Sequence, residues 1–265
     1  MNAALPVPVD VKLMNLTTSV LVMGLVLGCV AAGLWWVLRN PAFAIKEIAV
    51  VGDTAHNSAA TLRAKVAPRL EGNFFTLDLS NARAAFQSAP WVRRAVVKRE
   101  FPNRLHVWLE EHVPAARWGD DDAQLLNNFG EVFDAEGDNP DDDQLPILHG
   151  PEGQAAQVLA MHRVLNPLVA PLRARVVELE LLGRGNWRAE LDHGAVIELG
   201  RGSPQELAAR LRQFVGTVLE VAGRHQRQMD AIESVDLRHA SGYAMTLRGV
   251  TTVRAEATSG KAVQR

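Results

Sequence analysis

Apolar residues run unbroken in one stretch of the chain and recur with a period elsewhere. From Val20 to Leu38 there are 19 residues without a charge. As a helix rising about 1.5 Å per residue this run is roughly 28 Å long, which matches the ~30 Å hydrocarbon core of a bilayer. Leu13 to Ser19 adds only Asn15 and hydroxyl residues, and Trp35 and Trp36 stand where an interfacial aromatic belt belongs. The pattern predicts a transmembrane helix over 16–38 behind a short tail, 1–15. A cleaved signal peptide has an apolar region of about 7–15 residues behind a basic start, whereas here a longer run follows Lys12 alone. Val26-Leu27-Gly28-Cys29 has the small residues of a lipoprotein signal, but the run continues well past Cys29 where a lipoprotein turns polar, so the retained helix is the reading adopted.

Beyond the helix the apolar positions alternate or cluster. Phe43 to Gly52 reads as an irregular strand ending on a turn glycine. Asn57 or Ser58 can cap a helix through Leu62, Val66 and Leu70, and a second helix from about Asn81 stops at Pro90. Trp91 to Glu100 and Leu105 to Glu110 read as strands around the turn Phe101-Pro102-Asn103-Arg104. Helices this short bury their apolar faces only against a sheet, so the order β-α-α-β-β predicts a small α+β module over 43–112. After Val113-Pro114, strand-like runs occupy 115–118, 123–126, 130–133, 176–182, 186–191, 195–199, 232–237 and 243–247, with an acidic loop over 134–144 and two helical stretches inserted. The better-marked helix opens at Ser203-Pro204-Gln205-Glu206, where a capping hydroxyl, a first-turn proline and a third-position glutamate coincide. Its stripe is Leu207, Leu211, Phe214, Val215 and Val218, expected to face its own sheet, and Gly223 can end it. The expectation for 113–255 is a mainly antiparallel β domain with helices, and for 1–10 and 256–265 disorder.

Charge changes the picture little. All of the 28 Lys and Arg except Lys12, and all of the 30 Asp and Glu except Asp10, lie in residues 39–265, so no basic excess draws this part to nucleic acid or anionic lipid. Lys12 on one side of the apolar run is answered by Arg39 and Lys46 on the other, and the positive-inside rule gives no orientation. The single Cys29 lies within the apolar run, so the rest of the chain has no disulfide.

Candidate chemistry is sparse. The histidines are scattered, and there is no His-Glu-x-x-His, no cysteine nucleophile outside the apolar run and no Gly-x-Ser-x-Gly elbow, so no enzyme is expected. Gly183-Arg184-Gly185 and Gly200-Arg201-Gly202 lack a third glycine and a following phosphate-cradling helix, and read as turns. The acidic clusters Asp120 to Asp122 and Asp138 with Asp141 to Asp143 lack EF-hand spacing. His106, His112 and His193 read as surface or packed imidazoles, so neither metal nor cofactor is expected. Trp108 and Trp118 read as core or domain-junction residues. The final strand is different. Tyr243 to Leu247 is expected at a sheet edge, where unpaired N–H and C=O groups can receive an incoming strand. Around it, Ser241-Gly242 permits close approach, Arg201 and Arg238 can meet partner carboxylates, and Tyr243 offers an apolar ring with a hydroxyl. His239, Ala244 and Met245 complete the candidate site.

Phe43 to Gly52, two helices, and the strands 91–100 and 105–111 resemble a POTRA domain. The continuation narrows this: Trp91-Val92, Phe101-Pro102-Asn103-Arg104-Leu105, Val113-Pro114-Ala115-Ala116-Arg117-Trp118, Leu126-Asn127-Asn128-Phe129-Gly130-Glu131-Val132-Phe133, Leu145-Pro146-Ile147-Leu148-His149-Gly150-Pro151, Trp187, Leu199-Gly200-Arg201, Arg210-Leu211 with Phe214, and Val235-Asp236-Leu237-Arg238. In that order behind one apolar helix, over nearly all of 20–248, the chain resembles the FtsQ/DivIB family. The resemblance implies a short cytoplasmic tail, one inner-membrane crossing, and POTRA and β domains in the periplasm. It also implies a scaffold role at the division septum, recruiting FtsB and FtsL and linking to septal peptidoglycan synthesis, with FtsK, FtsW, FtsI and FtsN as further divisome partners. It places FtsB at the C-terminal strand, and a docking role for Arg94, Lys98 and Arg99 of the POTRA module rests on it alone. The chain departs from the family at His239, where some members carry an aromatic residue, and at Asn127, where aspartate is common. The alternatives from other classes are a POTRA-bearing chaperone or translocation component and a membrane-anchored cell-wall enzyme.

Overall fold

The computed structural model describes residues 9–120, 124–135, 144–225, 232–239 and 242–248. The expected disorder of the two ends, most of the acidic clusters and Ser241 lie largely or wholly outside these ranges. The chain divides into two compact units, 1–112 and 113–265.

The first unit opens with helix α1, Val9–Arg39, which starts about two turns earlier than the apolar run suggested. Asp10 in the first turn complements the helix dipole, and the Thr17 and Thr18 hydroxyls bond back to the carbonyls of Leu13 and Met14, so these polar residues continue the helix instead of ending it. Its apolar side chains face outward along the whole length, Leu21 at 73% and Leu25 at 69% exposure. An apolar helix that the described residues leave open along its apolar run suits lipid and not water. Pro41 disfavours helical geometry at Asn40, whose side chain instead caps a 3-10 turn, Pro41–Phe43. That turn replaces the first residues of the expected strand, and β1 runs Glu47–Gly52.

Ser58 caps α2, Ala59–Val66, accepting from Thr61 N–H at 3.0 Å. Asp78 caps α3, Leu79–Gln87, which therefore begins two residues before Asn81. Strand β2 is Val92–Glu100 and β3 is Arg104–Glu111. Trp91, expected as the first strand residue, has φ 67° and stands outside the ladder. The sheet order is β1-β3-β2, with β1 parallel and β2 antiparallel to β3. A parallel neighbour needs a crossover, and α2 with α3 supplies it. Leu105, Val107 and Leu109 point to the helices together with Val97, Leu62 and Phe86, all buried. The intervening His106 and Trp108 point the other way, and Trp108 is 40% exposed. Trp108 is therefore a residue of the open sheet face, not of a core.

The second unit holds strands β4 (Pro114–Trp118), β5 (Gln124–Asn127), β6 (Val132–Asp134), β7 (Ile147–His149), β8 (Val176–Leu181), β9 (Trp187–Leu191), β10 (Val196–Gly200), β11 (Ile232–Asp236) and β12 (Ala244–Leu247). They form one sheet in the order β12-β11-β10-β9-β8-β7-β4-β5-β6. The pairs are antiparallel except β10–β11, β4–β7 and β7–β8, so the sheet is mixed to a greater degree than expected. Two of the parallel pairs are bridged by the helices: α4, Ala155–Val169, crosses from β7 to β8, and α5, Pro204–His225, crosses from β10 to β11. The capping box is present as written in the sequence, Ser203 N–H donating to Glu206 Oε2 at 2.7 Å and Glu206 N–H to Ser203 Oγ at 3.3 Å. The whole α5 stripe is buried in the main core with Leu148, Val158, Leu165, Leu179 and Ile197. Gly223 does not end the helix, which continues to His225.

Candidate functional site

Among the described residues no strand lies beyond β12, so β12 forms one edge of the nine-stranded sheet. Which of its backbone groups are available follows from its neighbours. Leu237 N–H donates to the Glu198 carbonyl at 2.8 Å, so Leu237 and, two residues earlier, Val235 turn their backbone groups toward β10. Ser234 and Asp236 then turn theirs toward β12, where they stand opposite Thr246 and Ala244. Backbone direction alternates along a strand, so Ala244 and Thr246 bond to β11 while the N–H and C=O of Met245 point away from the sheet. Ala244 N–H is thus an internal donor and Met245 N–H is the one at the edge.

The side chains follow the opposite logic. Tyr243, Met245 and Leu247 are half-buried against the core, and Ala244 and Thr246 are exposed. The Tyr243 ring meets Phe214 of α5 edge to face at 5.1 Å. With Arg210, Gln213, Leu237, His239 and Gly242 these two rings line a cleft of about 60 Å³. Tyr243 therefore anchors the edge strand to its own helix.

Both expected arginines already have partners. Arg238 grips Asp236 with Nε at 2.9 Å and a second nitrogen at 2.6 Å, and Arg238 N–H donates to the same carboxylate. These bonds hold the Asp236 carboxyl down at about 2. Arg201 Nε donates to Asn186 Oδ1 at 3.2 Å, and Arg210 donates to the carbonyls of Leu199 and Arg201, fastening α5 to the end of β10. Asn186 is not marked by the sequence, and Asp236 and Arg210 stand there only as parts of the family resemblance, not as site residues. The Asp236-Leu237-Arg238 spacing was a signal for Asp236, because residues two apart at a strand end share a face.

The POTRA candidates separate. Arg94 and Lys98 lie on the open face, where Lys98 Nζ sits 4.8 Å from the Trp108 ring centre. Arg99 lies on the helix side and bonds the Leu77 carbonyl. Across the open face, Val51, Trp108 and Val96 stand in one row, each more than a third exposed.

A cleft of about 790 Å³ lies at the ends of β7 and β8 beside α4 and is lined by Arg117, His162, Arg175, Glu178 and Glu190 among others. It holds both signs of charge and no nucleophile with a base. Among the described residues no group of three His, Cys, Asp or Glu side chains could hold a metal. Burial pushes His162 below its ordinary value, against the opposing bond from its ring to the Val176 carbonyl at 3.1 Å. A histidine or aspartate with a depressed folded pKa favours folding above its unfolded value, and that contribution is lost as pH falls through the folded one. Stability of the second unit should accordingly fall as pH drops below 6.5 through His162, and again from 3.8 toward about 2 through Asp236. Urea midpoints at about pH 7.5 and about pH 5.5 test the first step. His162→Gln should flatten the difference, and an equal difference in the variant would remove His162 as its cause.

A family model described as Cell division protein FtsQ/DivIB, C-terminal, matches residues 116–238. One described as POTRA domain, FtsQ-type, matches residues 43–112. The chain is 42% identical over 242 residues to the cell division protein FtsQ of Burkholderia pseudomallei, covering 91% of this chain and 94% of that one. To the FtsQ proteins of Thiomonas arsenitoxydans and Bordetella pertussis it is 36% identical, covering 97% and 90% of this chain and 95% and 92% of theirs. These matches displace the chaperone and translocation alternative.

Proposed function

The chain belongs to the FtsQ/DivIB family of cell division proteins, and from that premise we propose that it is a non-enzymatic divisome scaffold that captures FtsB, together with FtsL, by strand addition at β12. The observation that carries this reading is the outward N–H and C=O of Met245 on an edge strand whose Met245 and Leu247 side chains, with Tyr243 before it, already lean against the core. An incoming segment would add main-chain hydrogen bonds there, with Ala244 and Thr246 as flanking contacts and Arg201, Arg238, His239 and Gly242 around the strand's start, and Ser241 is proposed with them from the sequence alone. Arg238 would meet a partner carboxylate only by sharing or releasing Asp236.

The family and the outward-facing apolar helix α1 together indicate a single-pass membrane protein. The proposed orientation has residues 1–15 in the cytoplasm and 39–265 in the periplasm, concentrated at the septum. There the POTRA open face, with Arg94 and Lys98 beside the Val51, Trp108 and Val96 row, takes further divisome partners such as FtsK, while the complex with FtsB and FtsL links to FtsW, FtsI and FtsN and so to septal peptidoglycan synthesis. Arg99 is better assigned to structure. A reporter active only in the periplasm, fused after Arg265, tests the orientation, and activity solely from a cytoplasmic reporter refutes it.

Amide hydrogen exchange on the full chain with and without an FtsB segment tests the docking mode. Met245 N–H should gain protection on binding, whereas Ala244 N–H, already bonded to β11, should change little. Binding without added protection at Met245 would place the site elsewhere.

A further inference from the structure

Helix α1 and the three-stranded module are joined by bonds and not by a slack linker. The last carbonyls of a helix lack helical partners, and that of Leu38 accepts a bond from Asn73 Nδ2 at 2.6 Å. Asn73 is 8% exposed, and its Oδ1 is held by the N–H groups of Phe75 at 2.9 Å and Thr76 at 3.0 Å, so the amide is fixed in place. Phe74 N–H donates to the Phe43 carbonyl at 2.8 Å. The rings close the junction, Phe43 to Phe75 at 5.0 Å, Phe74 to Phe75 at 5.2 Å and Phe74 to Phe101 at 6.0 Å between centres. Lys46 N–H bonds the Asn103 carbonyl, which brings the β2–β3 turn to the same end of the sheet.

Two of these rings are exposed, Phe75 at 47% and Phe101 at 71%. Scattered exposed apolar residues are ordinary, but a contiguous group marks a contact surface. This group adjoins the end of α1, one turn beyond Trp35 and Trp36, at the level where a spanning helix leaves the hydrocarbon for the headgroups. Charge does not explain it, since Arg104 is paired with Glu47 at 2.8 Å and Arg99 with the Leu77 carbonyl.

We propose that this end of the POTRA module is a lipid-contacting surface, in which Phe75 and Phe101 enter the headgroup boundary of the leaflet that α1 leaves and hold the module against the membrane. The contact is apolar and does not require anionic lipid. It rests on the reading of α1 as membrane-spanning, and continuity with that helix is what selects lipid over a protein partner as the occupant.

The test uses the full chain in nanodiscs of phosphatidylethanolamine, with and without phosphatidylglycerol, carrying an environment-sensitive fluorophore on one cysteine. The sites are native Cys29 and, in a Cys29→Ala background, Phe75→Cys, Phe101→Cys, Glu100→Cys, which keeps both rings, and Ala55→Cys, beyond the far end of β1 and so roughly 20 Å away along the strand. The labels at 75 and 101 should lose most of their emission to a lipid-borne nitroxide and little to aqueous iodide, in both lipid mixtures. Glu100→Cys should be quenched by the nitroxide more than Ala55→Cys, which should respond to iodide alone. If the Cys29 label is lipid-quenched while those at 75, 100 and 101 behave like that at 55, the lipid surface is refuted and the membrane helix stands. If the Cys29 label is itself iodide-quenched, the spanning helix falls and the surface with it.

Discussion

Met245→Pro is expected to bind an FtsB segment about tenfold or more weakly than Met245→Ala, because proline removes one edge hydrogen bond and places a ring where the incoming strand must lie. The alanine variant is the needed control, since either change removes the half-buried Met245 side chain from the core. Neither should unfold the sheet, because Met245 N–H is no donor to β11, and proline is tolerated on an edge strand when its missing N–H faces outward. Ala244→Pro should behave differently, breaking the ladder opposite Asp236 and destabilising the second unit. Tyr243→Ala should also cost stability through the lost contact with Phe214, so a binding loss there would be ambiguous. Calorimetric affinities with thermal melts of each variant decide the matter. Equal affinities for the proline and alanine variants at position 245 would remove β12 as the docking edge.

Glu111→Ala should destabilise the POTRA module by about 3 kcal/mol, lowering its melting temperature by about 15 °C. Glu111 is 3% exposed at the end of β3. Its two oxygens accept from the backbone N–H groups of His56 and Asn57, both at 3.0 Å, and from Asn57 Nδ2 at 3.2 Å, with the His56 ring nitrogen also at 3.2 Å. Truncation strands these donors in a loop that the stacking of His56 on Trp91 keeps closed. Asn57 also holds the Pro90 carbonyl, so one carboxylate gathers the start of α2, the entry to β2 and the end of β3. Glu111→Gln retains an acceptor and should lose less. A melt of the alanine variant within a few degrees of wild type would mean that water replaces the carboxylate.

Much of this architecture is legible in the sequence where the signal is local. Ser58 and Ser203 announce their helices, and Leu105, Val107 and Leu109 announce a strand with one buried face. What escaped depends on neighbours remote in the chain. Strand β7 is three residues long and lies between parallel partners, so Ile147-Leu148-His149 shows no alternation to detect. Helix α4 has no side-chain cap at Gln154 to mark its start. Nothing in the residue type of Trp91 announces its positive φ, and its ring is buried and stacked on His56 from a distant part of the chain. At the candidate site, the edge position of the last strand was readable, but the direction of its N–H groups was not, because it depends on how β11 registers with β10 across the α5 crossover. Arg238 shows the same limit, since its charge was visible and its bond to Asp236 needed the fold.

The order of the sheet also has a consequence in time. A chain is made from its amino terminus and its domains fold largely in that order, and β12 is the last described strand in sequence as well as an outermost one in space. The proposed docking edge is therefore the final piece of the described sheet to appear. A chain cut short before Ala244 would end its sheet at β11, where the outward backbone groups belong to Ser234 and Asp236 and the Phe214 ring lacks its Tyr243 cover. Only a molecule synthesised through β12 carries the surface that a partner strand would read, so capture at this edge would select finished copies from partial ones without any separate proofreading step.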